Sequence, residues 1–260
     1  MEERARIFTI IFCVNSTSVF LHAAIESILS QTHSSFLFLI SANACSDDLI
    51  VELEKYAQHD KRVRIIRSEV PQLSYNLNLL MDHARTEWVI RMDADDISEL
   101  HRLERVSQYI SDNPEVDVWG SWATIIDDNG AETGAFTPHT STKAIMRAFP
   151  YSNQICHPTV AFRRSFWRQM RGYLGGMVSE DYDLWLRALN AGVEVRNIPE
   201  PLLRYRVHGS QASGTRRGYA EVVGHWVREF LIRPNLFNFT GLIVSGAKAV
   251  TKSITLKHKN

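Results

Sequence analysis

The sequence is short of cysteine, of net charge and of long apolar runs, and each shortage excludes a class of protein. Its 260 residues include three cysteines, Cys13, Cys45 and Cys156, which are far apart and form no CxxC or Cys/His cluster. An odd and scattered set builds neither a disulfide framework nor a structural zinc site, so a reducing cytosol is the expected setting. The 29 Lys and Arg are balanced by 29 Asp and Glu. A chain that grips a phosphate backbone needs a basic surface, so no nucleic-acid partner is expected. The uncharged stretches Ile7 to Ile25 and Pro234 to Ala247 do not read as membrane spans. The first loses its apolar run at Val14, before Asn15, Ser16, Thr17 and Ser18, and the second is too short. Glycine is missing between Phe8 and Ser18, which removes the Gly-rich loop a nucleotidyltransferase would prefer. The stretch from Gly241 to Lys248 fails as a phosphate loop as well, because Ala247 displaces the lysine and no Ser or Thr follows it.

What remains is ordinary globular material, with 45% hydrophobic and 22% charged residues. That composition excludes a disordered, collagenous or coiled-coil chain, and the length suits one large α/β domain with or without an appendage. The balanced charge conceals an asymmetry. From Arg216 onward there are eight basic residues against Glu221 and Glu229, so that this segment carries +6 and residues 1–215 carry −6.

Two periodicities alternate over the first 110 residues. Apolar and β-branched runs at Thr9 to Val14, Phe36 to Ser41, Val63 to Arg67 and Trp88 to Met92 read as strands. Between them, Leu21, Ile25, Ile28 and Leu29, then Leu49, Ile50, Leu53 and Tyr56, then Leu77, Leu80, Met81 and Ala84 have helical spacing. This order predicts a mostly parallel sheet wound right-handedly, with ligands at the carboxyl ends of its strands. Further on, the pattern predicts a helix near Arg102 to Ser111, a strand over Val116 to Ile126 and a turn at Asp127 to Gly130. A helix at Thr142 to Phe149, a strand at Thr159 to Arg163, a helix from Glu180 to Ala191 closed by Gly192, and an extended Leu202 to Val207 follow.

Two acidic constellations stand where chemistry is expected. The strand Trp88 to Met92 runs directly into Asp93, Asp95 and Asp96. If extended geometry persists, Asp93 and Asp95 point to one side and converge on a divalent cation such as Mg²⁺ or Mn²⁺; the other use of such residues is to cap the following helix. The second constellation is Ser179 followed by Glu180, Asp181 and Asp183. Ser179 reads as an N-cap that sets Glu180 and Asp181 in a first turn, and Asp183 is spaced to pair with Arg187 on the helix surface. A first-turn carboxylate that faces a pocket can act as a general base.

In order, these features resemble the family 2 glycosyltransferases with the GT-A fold, especially enzymes of bacterial O-antigen and other surface polysaccharides. The likeness runs from Thr9 to Ser213 through Ser27-Ile-Leu-Ser-Gln31-Thr32, Asn43-Ala-Cys-Ser-Asp47, Leu73-Ser-Tyr-Asn-Leu-Asn78 and Met92-Asp-Ala-Asp-Asp96. It continues through Arg102-Leu-Glu104, His157-Pro158 ahead of Arg163, the Glu180-Asp181 pair and Leu203-Arg-Tyr-Arg-Val-His208. The resemblance implies a GT-A domain over 1–215, Rossmann-like with helices flanking the sheet, and a basic, partly amphipathic helical tail over 216–260. It implies Mn²⁺ or Mg²⁺ at Asp95 and Asp93, joined by His208. Asp181 is the implied catalytic base, with Glu180 beside it in acceptor binding, and Asn43, Asp47, Asn78, Asp93 and Arg163 are implied nucleotide-sugar contacts. Where the family often places two acids, this chain has Ala42 and Asn43, whose amide can still hydrogen-bond a base edge.

The activity so implied is inverting transfer of a hexose, galactose or glucose, from a UDP-sugar to a polyprenyl-diphosphate-linked N-acetylhexosamine, which leaves a β-linkage. A catalytically silent nucleotide-sugar-binding subunit and a polyprenyl-phosphate glycosyltransferase are the alternatives. His157 is expected to shape the turn with Pro158. In the tail, Trp226, Phe230, Leu231, Leu236, Phe237 and Phe239 accompany Arg228 and Arg233. Such a mixture suits either the inner face of the plasma membrane or packing on the catalytic domain.

Overall fold

The computed structural model describes residues 8–208 and 215–255. Ser213 and two of the eight basic residues counted from Arg216 onward, Lys257 and Lys259, lie outside the described residues. The four apolar runs form β1 (Phe8–Val14), β2 (Phe36–Asn43), β3 (Val63–Ser68) and β4 (Trp88–Met92), parallel in the order β3-β2-β1-β4. Burial on both faces explains why β1, β2 and β4 read as continuous apolar stretches, whereas β3, at the end of the strand order, is buried only in part and carries Arg64 and Arg67. Phe8, Ile10 and Phe12 point into one core with α1 (Leu21–Leu29), α2 (Asp47–His59) and α4 (Arg102–Asp112). Ile11, Leu37, Leu39 and Val89 point into the other, with α3 (Leu73–His83) and α7 (Glu180–Asn190). All four strands end at one edge of the sheet, so Val14, Asn43, Ser68 and Met92 open onto the same side.

Beyond β4 the sheet continues with β8 (Ala161–Arg163), β6 (Val118–Ile126), β9 (Val195–Arg206) and the two-residue β5 (Ile97–Ser98), while β7 (Glu132–Phe136) pairs with β6. β8 is antiparallel to both its neighbours, and β6 and β9 are parallel. α5 (Thr142–Ala148) and the short α6 (Arg164–Gln169) cover this half. β9 begins seven residues earlier than the sequence predicts. Pro199 and Pro201 disguise it, and the ladder accommodates them by shifting register between Ser121 and Ala123. β7 escapes sequence detection because four of its five residues are exposed and carry no apolar alternation.

The C-terminal segment forms a hairpin of α8 (Arg216–Ile232) and α9 (Leu236–Thr255) packed on α7. Trp226 is fully buried in the second core, its indole Nε1 donating to the Tyr182 hydroxyl at 3.0 Å, and Phe237 packs against its ring. These two aromatics are therefore core residues, not membrane-facing ones. Gly241 makes the contact possible, since a Cβ there would lie 2.3 Å from the Trp226 ring. No helix among the described residues is long and apolar enough to cross a membrane.

Candidate active site

A cavity of about 710 Å³ opens at the carboxyl edge of β4. Asp93, Asp95, Arg91 and His208 line it, as do Glu180 and Asp181. The chain leaves β4 at Met92 and turns at Ala94 and Asp95, so the extended geometry expected for Asp93 to Asp95 stops short. The turn itself brings the acids together, with one carboxylate oxygen each from Asp93, Asp95 and Asp96 within 4.8 Å of one another. They do not cap the next helix. α4 starts at Arg102, its N-cap His101 makes no side-chain cap, and the intervening residues form β5.

Each acid has its own setting. Asp93 pairs with Arg91 at 2.5 Å, and Arg91 is itself buried within β4. Burial raises Asp93 above the usual carboxylate range, Arg91 pulls it back, and Asp95 raises it further. Asp95 Oδ2 lies 2.9 Å from His208 Nε2, and the Asp95 carbonyl accepts from Arg206 Nε. Asp96 is fully buried. Its Oδ1 accepts the Arg206 backbone N–H at 2.8 Å, while Oδ2 has no partner and the group is held well above its ordinary value by burial and its two acidic neighbours. Three converging carboxylates, one of them with an unsatisfied oxygen, and an imidazole nitrogen form a mainly oxygen donor set that fits Mg²⁺ or Mn²⁺. Asp95, Asp93 and His208 would hold the ion, with Asp96 behind them.

Glu180 and Asp181 begin α7, where the helix terminus favours anions. Burial and the mutual charge push Glu180 up to about 7, and burial pushes Asp181 up to about 6; Arg91 opposes both shifts. Ser179 occupies the N-cap position but does not cap. Its hydroxyl donates instead to Glu221 Oε2 at 2.8 Å and lies 3.0 Å from His225 Nε2, both on α8. The Asp183–Arg187 pair forms at 2.8 Å, though not on the surface. Asp183 is fully buried and also meets Arg228 of α8 at 2.6 Å.

The remaining expectations divide. Asn43 lies at the end of β2, buried and with its Oδ1 unpartnered, and Asp47 is exposed at the start of α2 beside the capping Ser46. Arg163 is misplaced as a nucleotide contact. It pairs with Trp88 across β4 and β8, at the amino end of β4, and is held there by Glu87, Asp117 and the Trp88 ring. Asn78 is not among the residues that line the cavity, and its amide both donates to and accepts from the Tyr173 backbone, at 2.9 and 3.0 Å. His157 sits in a single 3-10 turn with its ring against the Tyr173 hydroxyl, which agrees with a turn-shaping role.

Sequence reasoning missed Arg91, Glu221 and the cavity wall built by α8 and α9. Arg91 was visible as the single charge inside an apolar strand. Glu221 gave no such signal, yet its carboxylate accepts the Met177 and Val178 backbone N–H groups and the Ser179 hydroxyl, pinning the segment that leads into Glu180 and Asp181. Glu221→Ala is expected to lower stability by about 1.5 kcal/mol, the low end for hydrogen bonds to a charged group, since the site is partly open. Thermal unfolding would read this loss, and a larger fall in kcat than in donor affinity would mark the slackened acid pair. An unchanged melting temperature and kcat would refute it.

Comparison with known proteins fits this geometry. Residues 9–170 match the family model for glycosyl transferase family 2. The chain is 34% identical over 248 residues to the O-antigen biosynthesis glycosyltransferase WbnJ of Escherichia coli, covering 94% of this chain and 96% of that one. It is 25% identical over 206 residues to an E. coli UDP-Gal:alpha-D-GlcNAc-diphosphoundecaprenol beta-1,3-galactosyltransferase, covering 79% and 74% of the two chains. Among solved structures, S. aureus TarS 1-349 in complex with UDP-GlcNAc superposes with a TM-score of 0.70 over 95% of this chain and 81% of that one, at 13% identity.

Proposed function

The chain belongs to glycosyl transferase family 2, and from that premise we propose that it is a divalent-metal-dependent, inverting hexosyltransferase of O-antigen assembly. In this reading it moves galactose or glucose from a UDP-sugar to an N-acetylhexosamine carried on a polyprenyl diphosphate. The observation that carries the reading is one cavity lined both by an acid cluster able to hold a cation and by a raised carboxylate pair. Relatives named for O-antigen synthesis and for a diphosphoundecaprenol acceptor support the substrate class.

The reaction needs a leaving group to be stabilised and a hydroxyl to be deprotonated. When bound, the cation neutralises charge on the departing diphosphate. Asp95, Asp93 and His208 would hold that ion, and Asn43, at the carboxyl end of β2, is the residue assigned to the base edge. Asp181 takes the proton of the acceptor hydroxyl as the hydroxyl oxygen bonds to C1, while the C1–O electron pair leaves with the nucleoside diphosphate. Attack opposite the leaving group converts an α-linked donor into a β-linked product. Glu180, nearly buried beside the base, orients the acceptor.

The test is a screen of UDP-galactose, UDP-glucose, UDP-N-acetylglucosamine and GDP-mannose with Mn²⁺ against a short-chain N-acetylglucosamine diphosphate lipid. Proton NMR of the product is expected to give the large anomeric coupling of a β-hexoside from one of the UDP-hexoses. An α-anomer would remove the single-displacement mechanism.

A lipid-linked acceptor also calls for contact with a membrane surface. Leu231, Ile232, Leu236 and Phe239 are exposed around the tip of the α8–α9 hairpin, next to Arg233. The double variant Leu231→Ser, Leu236→Ser is expected to weaken sedimentation with anionic vesicles several-fold while activity on a short-chain acceptor persists. Equal sedimentation of variant and parent would count against the membrane contact. Deleting the tail is not an equivalent test, because Ser245 and Lys248 of α9 line the cavity.

A further inference from the structure

The wall of the cavity made by α8, α9 and the segment after α5 has a chemistry of its own. It presents Tyr151, Tyr219 and Val222, surfaces on which the C–H face of a sugar can stack, together with Ser245 and Lys248. Lys248 is the one lysine among the described lining residues. Its ammonium donates to the Tyr151 carbonyl, which fixes the head group at the cavity while leaving further N–H bonds to give. Arg228 is held by Asp183 and Glu229, and Arg233 by the Asn190 carbonyl.

The charge pattern of the cavity makes this lysine significant. Asp93, Asp95, Glu180 and Asp181 line the same cavity, and the buried Arg91 is the cation beside them, paired with Asp93. A second diphosphate, in addition to the donor's, could not share that acidic lining. On an acceptor the diphosphate sits on C1, whereas the attacking hydroxyl is elsewhere on the ring, so the diphosphate must lie about a sugar's width, on the order of 5 Å, from the base. A cation contributed by α9, beside the tyrosines Tyr151 and Tyr219, answers that requirement.

We propose that Lys248, with Tyr151 and Tyr219, forms an acceptor subsite in which the ammonium binds the diphosphate of a lipid-linked sugar. The proposal rests on the acceptor class put forward above. It makes α9 part of substrate selection: the sugar is held over the tyrosines, and the anionic linker is held at the helix.

The experiment compares two acceptors that bear the same N-acetylhexosamine, one as a short-chain lipid diphosphate and one as an uncharged alkyl glycoside. Wild-type protein is expected to favour the diphosphate. Lys248→Ala should raise KM for the diphosphate acceptor about 10-fold or more, the loss of one charge-assisted contact, with KM for the uncharged glycoside and for the donor unchanged. Lys248→Arg should restore most of the preference. If the wild type prefers the diphosphate and Lys248→Ala keeps that preference, the subsite is wrong while the acceptor class stands. Equal losses on both acceptors would also overturn it, by making Lys248 a structural tie to Tyr151. If the wild type turns over both acceptors alike, the acceptor class itself fails and the subsite with it.

Discussion

Asp181→Asn is expected to lower kcat for transfer by about 10²- to 10⁴-fold, the usual contribution of a positioned general base. The substitution keeps the side chain's size and its capacity to accept backbone hydrogen bonds at the start of α7, so melting temperature and donor affinity should hardly change. Only the ability to take a proton is removed. Glu180→Gln supplies the contrast. Glu180 is the more buried of the two acids and is assigned to orienting the acceptor, so its loss should appear mainly in acceptor KM. Near-wild-type turnover by Asp181→Asn in a metal-replete assay would end the assignment of Asp181 as base.

The same carboxylates set the expected pH dependence. Burial, helped at Glu180 by the charge of its neighbour, raises the pair to about 7 and about 6, against ordinary values of 4.5 and 3.8. A raised carboxyl binds its proton earlier as pH falls, so the basic form that catalysis requires is lost as pH drops through about 7 to 6. The rate should therefore have an acidic limb in that window and a plateau above it. In Asp181→Asn that limb should flatten, because the residual rate no longer depends on ionisation of a base at position 181. A limb near pH 4 in the wild-type enzyme would mean that the pair is not held in the buried setting seen around α7.

How far the sequence could be read depended on whether a feature was local. β1, β2, β4 and the helices between the strands were legible because burial on both faces requires unbroken apolar runs and each helix carries its own stripe, while β3 was legible from its β-branched Val63, Ile65 and Ile66. The acid cluster was legible for the same reason, since a strand that ends in Asp93, Asp95 and Asp96 declares its own position. Arg163 misled because its neighbour in sequence, the His157-Pro158 turn, does face the cavity. β8 runs antiparallel to β4, however, and carries the chain from the carboxyl edge to the opposite end within a few residues. Asn78 misled because an amide that looks free on a helix is consumed by a backbone 95 residues away. The tail is the plainest case of a non-local property. Its charge and aromatic content suit a membrane surface and packing on the catalytic domain alike, and it is the small Gly241 and the buried Trp226 that dock it against α7, where Glu221 reaches the acid pair's approach and Lys248 reaches the cavity.

The second large effect is expected at Asp95. Chelation with EDTA should abolish transfer and added Mn²⁺ should restore it, whereas Asp95→Ala should remain about 10³-fold or more impaired at any Mn²⁺ concentration. That figure follows from several kcal/mol of leaving-group stabilisation at 1.36 kcal/mol per decade. Asp95 is singled out from its neighbours by its surroundings. Asp93 is already partly neutralised by Arg91, and Asp96 is buried with one oxygen committed to the Arg206 backbone. Asp95 remains half-exposed to the cavity, with His208 2.9 Å from its outer oxygen. Loss of Asp95 should leave His208 and Asp93 unable to hold the ion alone, so Mn²⁺ titration followed by EPR is expected to show tight binding in the parent and none in the variant. His208→Ala should weaken binding less, because a water can take the place of an imidazole more readily than that of a charged carboxylate. Full activity in protein freed of metal, or a kcat for Asp95→Ala within a few-fold of wild type, would show that this acid cluster serves the fold of the β4 turn and not the departing diphosphate.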